Sequence, residues 1–176
     1  MPDLQALPLL SNPFPLPPHG EDAGADAPFQ IILTADSHAI RAALIRLKGH
    51  FSARIGADAM GRLELVMAEV LNNISEHACD QDSARTQIHL GAFFLPEGIV
   101  CAVTDSGTPL PAHCLTIGRD ANETARAYAR GLPEGGFGWR LIQDLTESIT
   151  YFRRSNRNFL SLTVPHYDVA QQRHCA

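Results

Sequence analysis

"VMAEVLNNISEHA", residues 66–78, decides how the rest of the chain is read. Val66, Val70, Leu71 and Ile74, with Leu63 and Met67 upstream, recur three and four residues apart, so they form one apolar stripe on a helix beginning near Asp58. The other edge of that helix carries Glu69, Asn72, Asn73, Glu76 and His77. Residues four apart stack along a helix, which puts Glu69, Asn73 and His77 in one polar row beside the stripe. An asparagine oxygen is a neutral, hard ligand suited to magnesium, which takes few protein ligands and fills its octahedron with water and nucleotide phosphate. A carboxylate one turn earlier can orient a hydroxyl or accept its proton. A solvated polar face would give the same row, and taken alone the row favours that plainer reading.

Upstream, "PFQIILTAD" alternates as a strand does, with Phe29, Ile31 and Leu33 on one side. From Asp36 or Ser37, either of which can cap a helix, Ile40, Leu44, Leu47, Phe51 and Ile55 keep helical spacing until Gly56. Downstream, "RTQIHLGAFFL" and "GIVCAVTD" read as two strands joined at "PEG". Residues 106–135 lose periodicity and read as a functional loop or lid. A third helix is expected from about Gly136 to Leu145, followed by a hairpin, "SITYFRRSNRNFLSLTVP", turning at "SNRN".

Two further stretches bear on chemistry. "VTDSGTP" ends a strand on Asp105, where a carboxylate can accept a hydrogen bond from an exocyclic amine such as adenine N6, and Gly107 allows a ring to approach; a plain β-turn is the simpler alternative. "EGGFGWRLI" sets Gly135, Gly136 and Gly138 at a helix start, where backbone N–H groups can converge on phosphate, although a hinge or capping loop would look the same. No Gly-Lys-Ser/Thr follows, so it is not a Walker A loop.

Composition bounds these readings. The 176 residues, 45% hydrophobic and 19% charged, suit one globular domain with appendages. Residues 1–28 hold seven of the twelve prolines and no lysine or arginine, the composition of an extended tail. A net charge of -5 argues against a surface made for nucleic acid. The first Lys or Arg is Arg41 and no apolar run nears the ~20 residues of a membrane span, so neither export signal nor membrane segment is expected and the chain reads as cytoplasmic. Cys79, Cys101, Cys114 and Cys175 form no CxxC pair and read as reduced thiols, and their spacing to His77, His113 and His174 is unlike that of zinc ligands.

Together and in this order, "AEVLNNISEHA", "DSGTP" and "EGGFGWRLI" resemble the N, G1 and G2 boxes of the GHKL (histidine kinase-like) ATPases. Within that superfamily the chain looks most like the small bacterial anti-sigma-factor serine/threonine kinases, whose signature Glu-x-x-x-Asn-x-x-x-His is matched by Glu69, Asn73 and His77. The closing hairpin is similar as well. The resemblance implies an α+β two-layer sandwich over residues 29–166, with helices on one face of a mixed, mainly antiparallel sheet, between the tail 1–28 and a C-terminal tail 167–176. It implies ATP and Mg²⁺ as cofactors: Asn73 as metal ligand, Glu69 as catalytic base, Asp105 on the adenine amine, Gly107 making room for the base, and Gly135, Gly136 and Gly138 around the triphosphate. The partners it implies are a sigma factor, an anti-sigma-factor antagonist as phosphorylation substrate, and in some arrangements a second copy of the chain. Two other activities fit the same boxes: a nucleotide-binding interaction module without phosphotransfer, and the detached ATPase domain of a histidine kinase. The chain departs from the family where Leu110 and Pro111 follow "DSGTP", in place of phenylalanine and an acidic residue. Either Arg41 or Arg46 matches the partner-contacting arginine of the first helix.

Overall fold

The computed structural model describes residues 27–77, 86–111, 114 and 137–166, apart from the side chains of His77 and Phe137. Among the described residues five strands and three helices follow in the order β1 (Phe29–Thr34), α1 (Ser37–Phe51), α2 (Ala57–His77), β2 (Gln87–Leu95), β3 (Gly98–Asp105), α3 (Phe137–Leu145), β4 (Ser148–Arg154) and β5 (Arg157–Val164). The strands lie side by side as β1-β2-β3-β5-β4. Every pairing among the described strands is antiparallel, with none of the parallel pairing that a mixed sheet would add. Apart from Ala27, Pro28 and the lid's first residues, both tails and most of the expected lid lie outside the described residues.

Alternation along the strands explains why the helices cover one face. Ile88, Leu90 and Ala92 of β2, Ile99, Cys101 and Val103 of β3, and Leu160, Leu162 and Val164 of β5 are all buried against them. The other face carries the stacked Phe152 and Phe159 rings, 4.7 Å apart, and the exposed Ile32. Against the covered face α2 lays the expected stripe: Leu63, Val66, Met67 and Leu71 are fully buried and Ile74 packs at the margin. Side chains so removed from water contribute about 1.5–3 kcal/mol each, which fixes the roll of α2 about its axis.

The first helix is capped as its sequence suggests, the Asp36 carboxylate accepting from the Ala39 amide at 2.9 Å and from the Thr34 hydroxyl. Those bonds, Thr34's above all, hold the Asp36 carboxyl below its ordinary value. It ends earlier than expected, at Phe51. Ser52 N still donates to Lys48 O, but Arg54 N and Ile55 N both return to Phe51 O, so Ile55 reaches the core from a turn.

The β4–β5 turn consists of Ser155 and Asn156, with φ of 49° and 60°. Two consecutive left-handed residues match the right-handed twist of a tight hairpin. This turn fixes a register in which Asn158 lies opposite Arg153 on one side and Asp105 on the other. A slip of one residue would carry Asn158 to the opposite face of the sheet.

The stripe can be checked by truncation. Leu71→Ala should cost about 2–5 kcal/mol in a urea titration followed by the fluorescence of buried Trp139, the one tryptophan. Leu65→Ala, on the same helix but 42% exposed, should stay within about 0.5 kcal/mol of the parent. Equal losses would mean that α2 does not dock on the face described.

Candidate functional site

Ser75 near the end of α2 donates its hydroxyl to the Ala35 carbonyl at 2.7 Å, and Ala35 N donates to Thr86 O at 3.0 Å. These bonds tie the last turns of α2 to the end of the sheet where β1 stops and β2 starts. His89 of β2 lies opposite Thr104, so Asp105, which closes β3, belongs to that same end. Two groups of sequence-predicted residues therefore share one end of the sheet, although no hydrogen bond among the described residues joins Glu69 or Asn73 to Asp105 or Gly107.

In the first group, Asn73 donates Nδ2 to the Glu69 carbonyl at 2.8 Å. A carbonyl can only accept, so the amide nitrogen faces the helix backbone and Oδ1 keeps its lone pairs for another partner. Gly138, in the first turn of α3, approaches this pair closely. A Cβ at that position would overlap Glu69 Oε2, and would lie 3.2 Å from Glu69 Cδ and 3.8 Å from Asn73 Nδ2. Any side chain here would have to displace the carboxylate end of Glu69. The approach is possible because α3 packs on α2 through buried Trp139 and Ile142.

The second group is built on Asp105, which continues the core-facing row of Ile99, Cys101 and Val103 and is only 7% exposed. Its Oδ1 accepts from Gly107 N and from Asn158 Nδ2, both at 2.8 Å. Oδ2 has no partner among the described residues. Burial raises the Asp105 carboxyl above its ordinary value, against the lowering effects of the Asn158 amide, the Gly107 amide and the Arg153 guanidinium. A largely desolvated carboxylate gains more from an arriving N–H donor than an exposed one would.

The loop after Asp105 is held by the hairpin. Asn158 Nδ2 also donates to Thr108 O at 2.9 Å, Arg153 Nη1 to Gly107 O at 2.8 Å, and Leu110 N to the Tyr151 hydroxyl at 3.0 Å. Sequence reasoning missed Asn158, Tyr151 and Arg153, reading the hairpin tip only as a turn. The available signal was alternation: Asn158 begins the row continued by Leu160, Leu162 and Val164, and a polar residue in a buried row needs partners.

Gly135, Gly136 and the His77 side chain lie outside the described residues, and Arg41 and Arg46 are both exposed on α1. What is described fits a magnesium nucleotide. A hard neutral oxygen stands one helical turn from a carboxylate, beside a glycine at the start of α3, and the Asp105 carboxylate lies at the same end of the sheet. No helix among the described residues is long and apolar enough to cross a membrane.

Comparison with solved structures finds the RsbU and RsbW domains of Rv1364c from Mycobacterium tuberculosis, with a TM-score of 0.54 and 16% identity. The match covers 78% of this chain and 32% of that one, so this chain spans about a third of its length, and a likeness at such identity speaks for the fold alone. The histidine kinase domain of the Erythrobacter litoralis EL346 blue-light activated histidine kinase matches with a TM-score of 0.46 and 20% identity, over 77% of this chain and 63% of the other. No curated protein matches the chain. The model of the histidine kinase-like ATPase domain does match, over residues 19–164, which takes in the polar row of α2, Asp105 and Gly138. The antiparallel sheet covered on one face, with those residues at one end, has the form this match requires, and the chain belongs to the histidine kinase-like ATPase domain family.

Proposed function

We propose that this domain binds ATP with Mg²⁺ at the shared sheet end and, like the anti-sigma-factor kinases whose boxes it resembles, holds a sigma factor and phosphorylates a serine or threonine of an antagonist protein. The observation that carries this reading is the close approach of Gly138 to Glu69 and Asn73, which brings the first turn of α3 beside a hard oxygen ligand and a carboxylate. Magnesium held there would neutralise phosphate charge.

Each residue has a role in this reading. Asn73 presents Oδ1 to the metal, and Asp105 presents Oδ2 to the exocyclic amine of adenine. Gly138, with Gly135 and Gly136, leaves backbone N–H groups open to the phosphates. Glu69 orients the acceptor hydroxyl. In the transfer, the substrate oxygen bonds to the γ-phosphorus as the bond from that phosphorus to the β–γ bridging oxygen breaks. ADP keeps the electron pair, and Glu69 accepts the hydroxyl proton and passes it to solvent. Arg41 and Arg46, exposed on α1, are the candidate contacts for the sigma factor. Incubating the chain with labelled ATP, Mg²⁺ and the proteins that co-purify with it tests the reading, because the label should appear on a serine or threonine of one of them.

Asn73→Ala should abolish the magnesium-dependent part of ATP affinity, read by titrating fluorescent ATP with and without Mg²⁺. An unchanged magnesium effect would remove Asn73 as the ligand. Glu69→Gln should leave ATP affinity within about twofold while lowering transfer roughly 10²- to 10⁴-fold. Gly138→Ala should reproduce that loss without a drop in melting temperature, since its methyl displaces the flexible end of Glu69 and alanine suits a helix better than glycine. Full transfer by both variants would remove Glu69 as the catalytic residue, and no transfer by the parent chain would leave a nucleotide-binding module in place of a kinase.

A further inference from the structure

Asn158 is 5% exposed and uses both ends of its amide. Nδ2 points to acceptors only: Asp105 Oδ1 at 2.8 Å, Thr108 O at 2.9 Å and, at the limit of hydrogen bonding, Gly107 O at 3.4 Å. Oδ1 receives the Tyr151 hydroxyl at 2.8 Å and Arg153 Nη1 at 2.6 Å. Carboxylates and carbonyls cannot donate and a guanidinium cannot accept, so the orientation of this amide is chemically determined. Arg153 is itself held by Gly107 O and, through Nη2 at 2.5 Å, by Asn156 Oδ1 in the left-handed turn.

We infer that Asn158 is a positioning residue that determines base choice, holding Asp105 as a pure acceptor so that the site takes a 6-amino purine and rejects a 6-oxo purine. The inference rests on the reading of Asp105 as the adenine contact. The donated Nδ2–H occupies Oδ1 and keeps a proton from residing there, which leaves Oδ2 as an acceptor for an incoming N–H. Guanine would bring its O6 against that oxygen, an acceptor against an acceptor beside a largely desolvated carboxylate. The same amide anchors Thr108 O while Tyr151 anchors Leu110 N, so the wall of the base pocket is set before ligand arrives.

Asn158→Asp isolates the donor. It keeps the shape and the acceptor for Tyr151 and Arg153, and removes the N–H groups facing Asp105 and Thr108 O. Two carboxylates then meet in a buried site, where one must take a proton. Arg153, bonded to position 158, keeps the new carboxylate ionised, so the proton falls on Asp105, which then loses the negative charge that repels O6 and favours an N–H donor.

The test measures affinities of the full chain for ATP, GTP and purine riboside triphosphate, each with Mg²⁺. Wild type should prefer ATP to GTP by roughly 10-fold or more, with the 6-unsubstituted analogue between them. In Asn158→Asp that ratio should fall towards one. Tyr151→Phe, which leaves the Nδ2 bonds in place, should weaken all three nucleotides alike and keep the ratio. A merely structural role for Asn158 would lower ATP and GTP binding together. Asn158→Ser, which also withdraws the amide, serves if the aspartate variant does not fold. An unmoved ratio in a folded variant, or a wild type that binds ATP and GTP equally, overturns the inference alone. A wild type that binds no nucleotide overturns the ATP-site reading with it, and is seen before any variant is made.

Discussion

The burial of one stripe of α2 governs the rest of the molecule. Leu63, Val66, Met67 and Leu71 are fully withdrawn from water between the sheet and the other helices, and no other roll of the helix would bury them. Glu69 and Asn73 lie on the flank of that stripe, so a hydrophobic constraint on one face fixes where the polar row points. The Ser75–Ala35 bond pins the height of the helix on the sheet as well. With roll and height determined, the polar row meets the first turn of α3 where Gly138 leaves no side chain in the way. The site thus depends on packing that has no polar component of its own.

The second support is the register of the β4–β5 hairpin. Its two-residue turn with both φ values positive places Asn158 opposite Asp105, and the Asn158 amide then joins β3, the loop after it and the hairpin into one network. A buried polar network of this kind stabilises only if its members are satisfied. Here Asn158 is satisfied at both ends while Asp105 keeps one oxygen without a partner among the described residues. Under the proposed function that oxygen is where a ligand bearing an N–H group would dock.

Much of this was legible in the sequence, for identifiable reasons. The long amphipathic period of α2 and the uninterrupted run of β3 are strong local signals, and both elements stand where the sequence puts them, β3 ending on Asp105. The spacing predicts too long a first helix because Ile55 falls in phase with its stripe although it reaches the core from a turn, a distinction made by backbone bonds that periodicity does not encode. The glycine box was visible as a motif. The closeness of Gly138 to Glu69 was not, since it depends on how two helices cross. Asn158 escaped notice because it stands beside strong turn residues; its role follows only from strand pairing, which brings it to a carboxylate 53 positions away.

The central claim is that the Glu69–Asn73–Gly138 group and the Asp105 group are the two ends of one nucleotide site. The most direct measurement is a crystal structure of the full chain with a non-hydrolysable ATP analogue and Mn²⁺, the metal located by its anomalous signal. The account predicts the metal on Asn73 Oδ1 and the exocyclic amine of adenine on Asp105 Oδ2, with a single nucleotide reaching both. A nucleotide bound elsewhere, or a metal held without Asn73, would contradict it.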